Sequence, residues 1–150
     1  MSTLVEAVAR LLLAPALVVA AALLVKGSSD VGDGFSAGVV VTLALALQYL
    51  ALGPERAEEE LPVLRQADRV AVAGLLLALA TAFAPVAFGE PPFTHLPGPG
   101  AAAVRFGTLE VSTLLLFDVA VFLLVVGALT SLLHDLARPH TAGEPGERAP

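Results

Sequence analysis

Four apolar blocks, at about residues 4–25, 35–52, 70–88 and 109–133, alternate along this chain with polar connections. Each approaches the roughly 20 apolar residues that a helix needs to cross the hydrocarbon of a bilayer. None has the strict alternation of a membrane-spanning strand. The pattern predicts an all-α integral membrane protein with four transmembrane helices. In the first block the uncharged part, 11–25, is short, and Glu6 and Arg10 stand one turn apart in the favourable order for a helical ion pair. Pro15 is tolerable in a membrane helix, where neighbours re-satisfy the freed backbone group. Arg10, an apolar stretch and Ala20-Ala21-Ala22 imitate a cleavable signal. The apolar run nevertheless continues through Leu23, Leu24 and Val25, which argues for a retained helix.

The connections set the organisation. Residues 26–34 form a short turn rich in Gly and Asp, and 53–69 a charged loop with Glu55, Arg56, Glu58, Glu59, Glu60, Arg65, Asp68 and Arg69. Residues 89–107 contain Pro91, Pro92, Pro97 and Pro99, which cannot continue a helix. A membrane domain over 1–136 and a disordered polar tail over 137–150 are expected. Arg10, Arg56, Arg65, Arg69 and Arg138 share one side of such a topology, against Lys26 and Arg105 on the other. Cytoplasmic flanks are enriched in Lys and Arg, so both termini are expected to be cytoplasmic.

Composition agrees. Of 150 residues, 57% are hydrophobic and 15% charged, and the mean hydropathy is +0.84. A soluble core of this length could not bury that apolar mass. The absence of cysteine removes disulfides and thiolate chemistry, and a net charge of −6 disfavours nucleic acid.

Few residues can carry chemistry. The turn before the second block holds Gly27, Gly32, Gly34 and Gly38 within twelve residues, together with Asp30 and Asp33. Glycine permits unusual backbone angles, and small residues let helices approach closely. Asp33 could cap the second helix, or Asp30 and Asp33 together could attract a cation. Asp118 stands near the middle of the fourth block, where a carboxylate costs at least about 2.5–3.5 kcal/mol on insertion scales. Its neighbours on the same helix face, among them Leu114, Leu115, Val121 and Phe122, offer no partner. It is either a proton or cation waypoint, or a structural hydrogen bond between helices. Glu110, on the same predicted helix, would lie about 12 Å along the axis and about 80° around it, and is expected at the membrane surface. Gln48 is expected to bond backbone or another helix, and Tyr49 to sit at the interface. His95, His134 and His140 lack metal-binding spacing and are expected to be solvated, as is the run Glu58-Glu59-Glu60. No P-loop, nucleophile elbow or dinucleotide fingerprint is present, so no enzyme activity, metal or cofactor is predicted.

Two of these stretches resemble a known family. Residues 27–38 are similar to the glycine-rich signature G-H-N-x-P-G-G-G-F-x-G-G of the MnhB domain, the B subunit of multisubunit sodium/proton antiporters. Gly27, Gly32, Gly34, Phe35 and Gly38 keep the pattern; Ser28, Ser29, Val31, Asp33 and Ala37 depart from it. The run from Phe117 to Gly127 resembles the family's F-D-x-G-V-Y-L-V-V-x-G, with departures at Ala120 and Phe122. The resemblance implies an accessory membrane subunit that helps assemble a sodium/proton exchanger. Other subunits of the complex would be its partners, and Na+ and H+ the transported ions. It also implies packing and turn roles for Gly27, Gly32, Gly34, Phe35, Gly38 and Gly127, and makes Asp118 the ionisable candidate for the ion pathway, with Glu110, Asp33 and Asp30 behind it. A membrane subunit of a hydrogenase-type redox complex and a stand-alone four-helix channel or carrier are the alternatives. On any of these readings Asp118 and the glycine turn are expected to need covering by another polypeptide.

Overall fold

The computed structural model describes residues 3–26, 32–94, 104–106, 109–111 and 113–137. Its main elements are α1 (Thr3–Lys26), α2 (Asp33–Leu52), a short α3 (Pro54–Glu60), α4 (Ala67–Phe83) and α5 (Thr113–Ala137), with a hairpin of β1 (Val104–Phe106) and β2 (Leu109–Val111) before α5. Four helical segments are long and apolar enough to cross a membrane: Thr3–Lys26, Asp33–Leu52, Pro62–Phe88 and Thr113–Ala137. The third joins α4 to flanking 3₁₀ turns at Pro62–Gln66 and Ala84–Phe88. The expected tail, from residue 138 onward, lies outside the described residues.

Two boundaries differ from the sequence expectation. The connection expected as a loop over 53–69 is mostly helical. Gly53, at φ 82°, ends α2 by donating its N–H to the Tyr49 carbonyl at 3.0 Å, and Pro54 then opens α3. Glycine accepts the left-handed backbone and proline lacks an N–H that a first helical turn could not use anyway. The fourth block does not start as helix at residue 109. Leu109, Glu110 and Val111 pair antiparallel with Phe106, Arg105 and Val104, and α5 begins at Thr113. A short apolar run fits strand and helix equally, and pairing with the preceding segment decides between them.

The helices lie in the order α1, α2, α5, α4, with α5 between α2 and α4. Small residues make both α5 seams. A Cβ at Gly74 on α4 would stand 2.8 Å from the Ala120 carbonyl oxygen. One at Gly127 on α5 would meet Ala71 Cα at 2.7 Å and the Ala67 carbonyl oxygen at 2.8 Å. These contacts run α4 antiparallel to α5, while Gly34 and Gly38 of α2 meet Asp118, Phe122 and Val125, so α2 and α5 are parallel. Close approach through glycine and alanine is how helices associate where lipid is as apolar as leucine. Gly74 escaped the sequence reading, although Ala67, Ala71, Gly74 and Ala78 form a small-residue stripe at helical spacing.

On α1 only Ala9 and Ala20 are buried; Leu4, Leu11 and Val18 are largely exposed. Its anchor is polar. The Gln48 amide donates to the Ala9 carbonyl at 2.5 Å from a site 2% exposed. Glu6 and Arg10, expected to pair with each other, reach α3 instead. Arg10 forks onto Glu60 at 2.6 and 3.1 Å, and Arg56 stands 3.9 Å from Glu6. Tyr49, expected at the interface, is buried in the core cluster with Leu45, Ala57 and Leu64.

Two measurements check this packing. Gly127→Val should cost about 1–3 kcal/mol through overpacking, seen as a lower thermal midpoint of the detergent-solubilised protein, whereas Leu132→Val on an exposed face should leave it nearly unchanged. The second concerns pH. The hydrogen bond from Arg10 holds the Glu60 carboxyl below its usual value. A depressed acid contributes stability above its unfolded value of about 4.3 and loses it as pH falls through the folded value. Glu60→Gln should therefore melt earlier than the parent at neutral pH, with the two curves converging in acid.

Candidate functional site

Asp118 is the sixth residue of α5, about 8 Å along the axis from the first. The sequence placed it near the middle of its helix; the later helix start moves it close to one end. It is 1% exposed, and what covers it is this chain's own α2. The expectation that another polypeptide must cover it is overturned. A Cβ at Gly34 would overlap the Asp118 carbonyl oxygen and lie 2.8 Å from the carbonyl carbon, so only glycine lets α2 start there.

That contact aims the beginning of α2 at the carboxylate. The Gly32 N–H donates to Asp118 Oδ1 at 3.4 Å. Gly32 occupies the capping position with φ 111° and no capping side chain from its own segment. Asp33, expected to cap, does not do so, because it already lies within the helix. The acceptor comes instead from α5, across the helix–helix seam. A helix start carries free amides and a partial positive charge, which favours an anion placed there.

The carboxylate is half used. Asp118 Oδ2 and Asp33 Oδ2 are both buried with no hydrogen-bond partner among the described residues. Lys26, ending α1, places its ammonium 3.6 Å from Asp33 Oδ2 and is itself 68% exposed. Two acids and one amine thus converge where α1 ends and α2 and α5 begin. An anionic oxygen with a vacant lone pair beside a second acid can take up a proton or contact a small cation. Among the described residues no group of three or more His, Cys, Asp or Glu gathers that could hold a metal ion.

The other expected site residues fall in several places. Gly27 and Asp30, with Ser28, Ser29 and Val31, lie outside the described residues. Glu110 belongs to β2, opposite Arg105 in register, rather than to the helix of Asp118. Phe35, expected to pack, is 57% exposed on the outer face of α2. Gly38 does pack, with Val125 Cβ 2.9 Å from where its own Cβ would stand.

A second polar group lies at the opposite end of α5. Glu58 and His134, both expected to be solvated, meet there. Their Oε1 and Nδ1 are 2.6 Å apart, and the side chains are 8% and 22% exposed. Arg65 Nε stands 3.6 Å from Glu58 Oε2. Folding residues 54–60 into a helix turns Ala57 and Glu58 inward while Glu55, Arg56, Glu59 and Glu60 face out. An apparent run of equivalent acids hid that difference.

Residues 4–131 match the domain related to the MnhB subunit of Na+/H+ antiporter. The chain is similar to the B subunit of the Na(+)/H(+) antiporter of Bacillus subtilis, 32% identical over 114 residues, which cover 76% of this chain and 78% of that protein. A probable K(+)/H(+) antiporter protein of Rhizobium meliloti, named for the A and B subunits together, is 35% identical over 118 residues, covering 79% of this chain and 12% of that much longer one. The putative antiporter protein mnhB2 of Staphylococcus epidermidis is 27% identical over 111 residues, covering 74% of this chain and 77% of its own.

The cap geometry predicts an ordering of variants at Asp118. Asn keeps an acceptor for the Gly32 amide and should cost little stability. Leu removes it and strands the start of α2, at about 1–3 kcal/mol for the unsatisfied group. Thermal unfolding in detergent should rank parent and Asp118→Asn together and Asp118→Leu below both.

Proposed function

The chain belongs to the family of domains related to the MnhB subunit of Na+/H+ antiporters, and from that membership we propose that Asp118 is its ion-pathway residue, binding a proton on Oδ2 during exchange. The protein is a multi-pass cell-membrane subunit of a multisubunit Na+/H+ antiporter, an accessory part whose partners are the other membrane subunits. Its relatives are transporter subunits rather than enzymes.

The burial of Asp118, with one oxygen held by the start of α2 and the other unpartnered, is the observation that carries this reading. An intramembrane carboxylate is costly, and one kept without a fixed counter-ion suits a group that cycles between charged and protonated forms. In the charged form it stabilises the beginning of α2. With a proton on Oδ2 it becomes neutral, and the bond from Gly32 to Oδ1 can persist. Asp33 sits close enough to sense the change as a like charge. Lys26, exposed and paired with Asp33, gives the cluster a link to the aqueous edge.

The basic residues supply the orientation. Arg10, Arg56, Arg65 and Arg69 gather at the end where α1 begins and α4 follows α3, which supports a cytoplasmic placement of that end by the positive-inside rule. Asp118 then belongs to the outer half of the membrane. The relative named for both A and B subunits carries the matched stretch within one chain, which supports a neighbour of the large A type. Na+ is the cation favoured by the family description, with K+ in the name of that relative.

The test is cation-driven proton exchange by the assembled complex in everted membrane vesicles. Asp118→Asn should co-purify with its partners at parental amounts yet lose about tenfold or more of the exchange rate, the range over which a proton-transfer group contributes. Full exchange by an assembled Asp118→Asn complex would defeat the assignment.

A further inference from the structure

We propose that Glu58 and His134 form a proton-exchange site at the cytoplasmic end of α5, separate from the Asp118 cluster. The proposal rests on membership of a cation/proton exchange complex, but not on any role for Asp118.

Four observations carry it. Glu58 is turned inward from a surface helix whose other acids face out, and its residue is 6% exposed. An isolated charge there would be expensive, so the site must supply a proton or a cation. His134 Nδ1 stands 2.6 Å from Glu58 Oε1, within ion-pair reach but not aligned as a hydrogen bond, so a rotation of either side chain would bring the two into line for proton passage. Imidazole is the side chain that ordinarily changes charge between about pH 5 and 8. Finally, Thr130, one turn before His134, has a hydroxyl buried without a hydrogen-bond partner among the described residues. It lines a small cavity with Leu45, Leu64, Val70 and Val126. Thr130 thus leaves a single buried hydroxyl one turn from His134, set among apolar side chains.

Among the described residues, several groups stand around this pair. Arg65 from the 3₁₀ turn lies 3.6 Å from the other Glu58 oxygen. Asp68 of α4 is bonded to Ser131, and Tyr49 of α2 lies in the adjoining core. Glu6 and Arg10 of α1 are engaged by Arg56 and Glu60. On α5 itself Asp135 adjoins His134 in sequence. Arg65 thus balances the Glu58 carboxylate, and the proton on His134 is the variable charge. The transfer is a simple exchange. Water delivers a proton to His134 Nε2; the Nδ1–H bond breaks as Glu58 Oε1–H forms; imidazolium plus carboxylate becomes imidazole plus carboxylic acid, with the total charge unchanged.

Asp118 and His134 are sixteen residues apart on α5, about 24 Å along its axis and about 160° around it. Between Asp118 and Thr130 α5 carries no polar side chain. Each end therefore serves its own side of the membrane, and other subunits carry charge between them.

Glu58→Gln is the decisive variant, because it keeps the size of the side chain and an oxygen able to face Nδ1 but cannot take its proton. In vesicles the assembled variant should lose about tenfold of the exchange rate, with cation KM unchanged and substantial recovery in Glu58→Asp. A merely structural contact would leave the rate at the parental level across the pH range, and that result overturns the proposal. Asp118→Asn is assayed beside it. Full exchange there with loss in Glu58→Gln removes the Asp118 reading and leaves this site, and the reverse pattern removes this one. Should Glu58→Gln fail to assemble, His95→Asn/His140→Asn leaves His134 as the sole histidine. Nitrogen NMR of that chain in detergent, followed across the pH range of the exchange assay, should show His134 in both charge states. A charge state that never changes over that range overturns the proposal.

Discussion

The structure depends on a carboxylate of one helix closing the open end of another. Asp118 on α5 accepts from Gly32 at the start of α2, and Gly34 removes the side chain that would hold the two backbones apart. Each feature needs the other. A carboxylate inside a membrane domain is tolerable when amides and a helix dipole meet it. The first amides of a helix have no partner within it and gain from an outside acceptor. Because α2 and α5 run parallel from this point, the contact fixes their register as well as their ends.

The remaining helices are placed by size rather than charge. α5 carries Ala120 and Gly127 toward α4 and its Asp118–Phe122–Val125 side toward α2, so it is packed on both flanks. The thin row that results leaves α1 and α4 with exposed apolar faces, including Leu11, Val18, Leu76 and Leu79. In water such faces would drive aggregation; in a membrane they meet lipid or the other subunits. A small accessory protein of this shape has little interior of its own and much surface to share.

The ionisable residues divide between the two ends of that row. One end gathers Lys26, Asp33 and Asp118, and the other Glu58, Arg65 and His134 beneath the ion pairs that tie α1 to α3. Between them α5 offers α2 only apolar side chains over the span of Phe122 and Val126. On the readings proposed above, this chain contributes titratable groups at the two ends of its helices and its partners complete any route between them.

Membrane residence and the number of spans were legible in the sequence, because transfer of apolar side chains from water to lipid depends on composition and length and not on neighbours. The glycine turn and the Phe117–Gly127 run were legible too, and led to the family that residues 4–131 match. Tertiary structure alone decided the polar details. Whether Leu109–Val111 is helix or strand depended on Val104–Phe106 across the hairpin. The cap of α2 came from a residue 86 positions away rather than from adjacent Asp33. Glu58 could be told from Glu59 and Glu60 only once α3 had formed and His134 had arrived beside it. A buried hydrogen bond is a property of two surfaces brought together, and a single string of residues states only one of them.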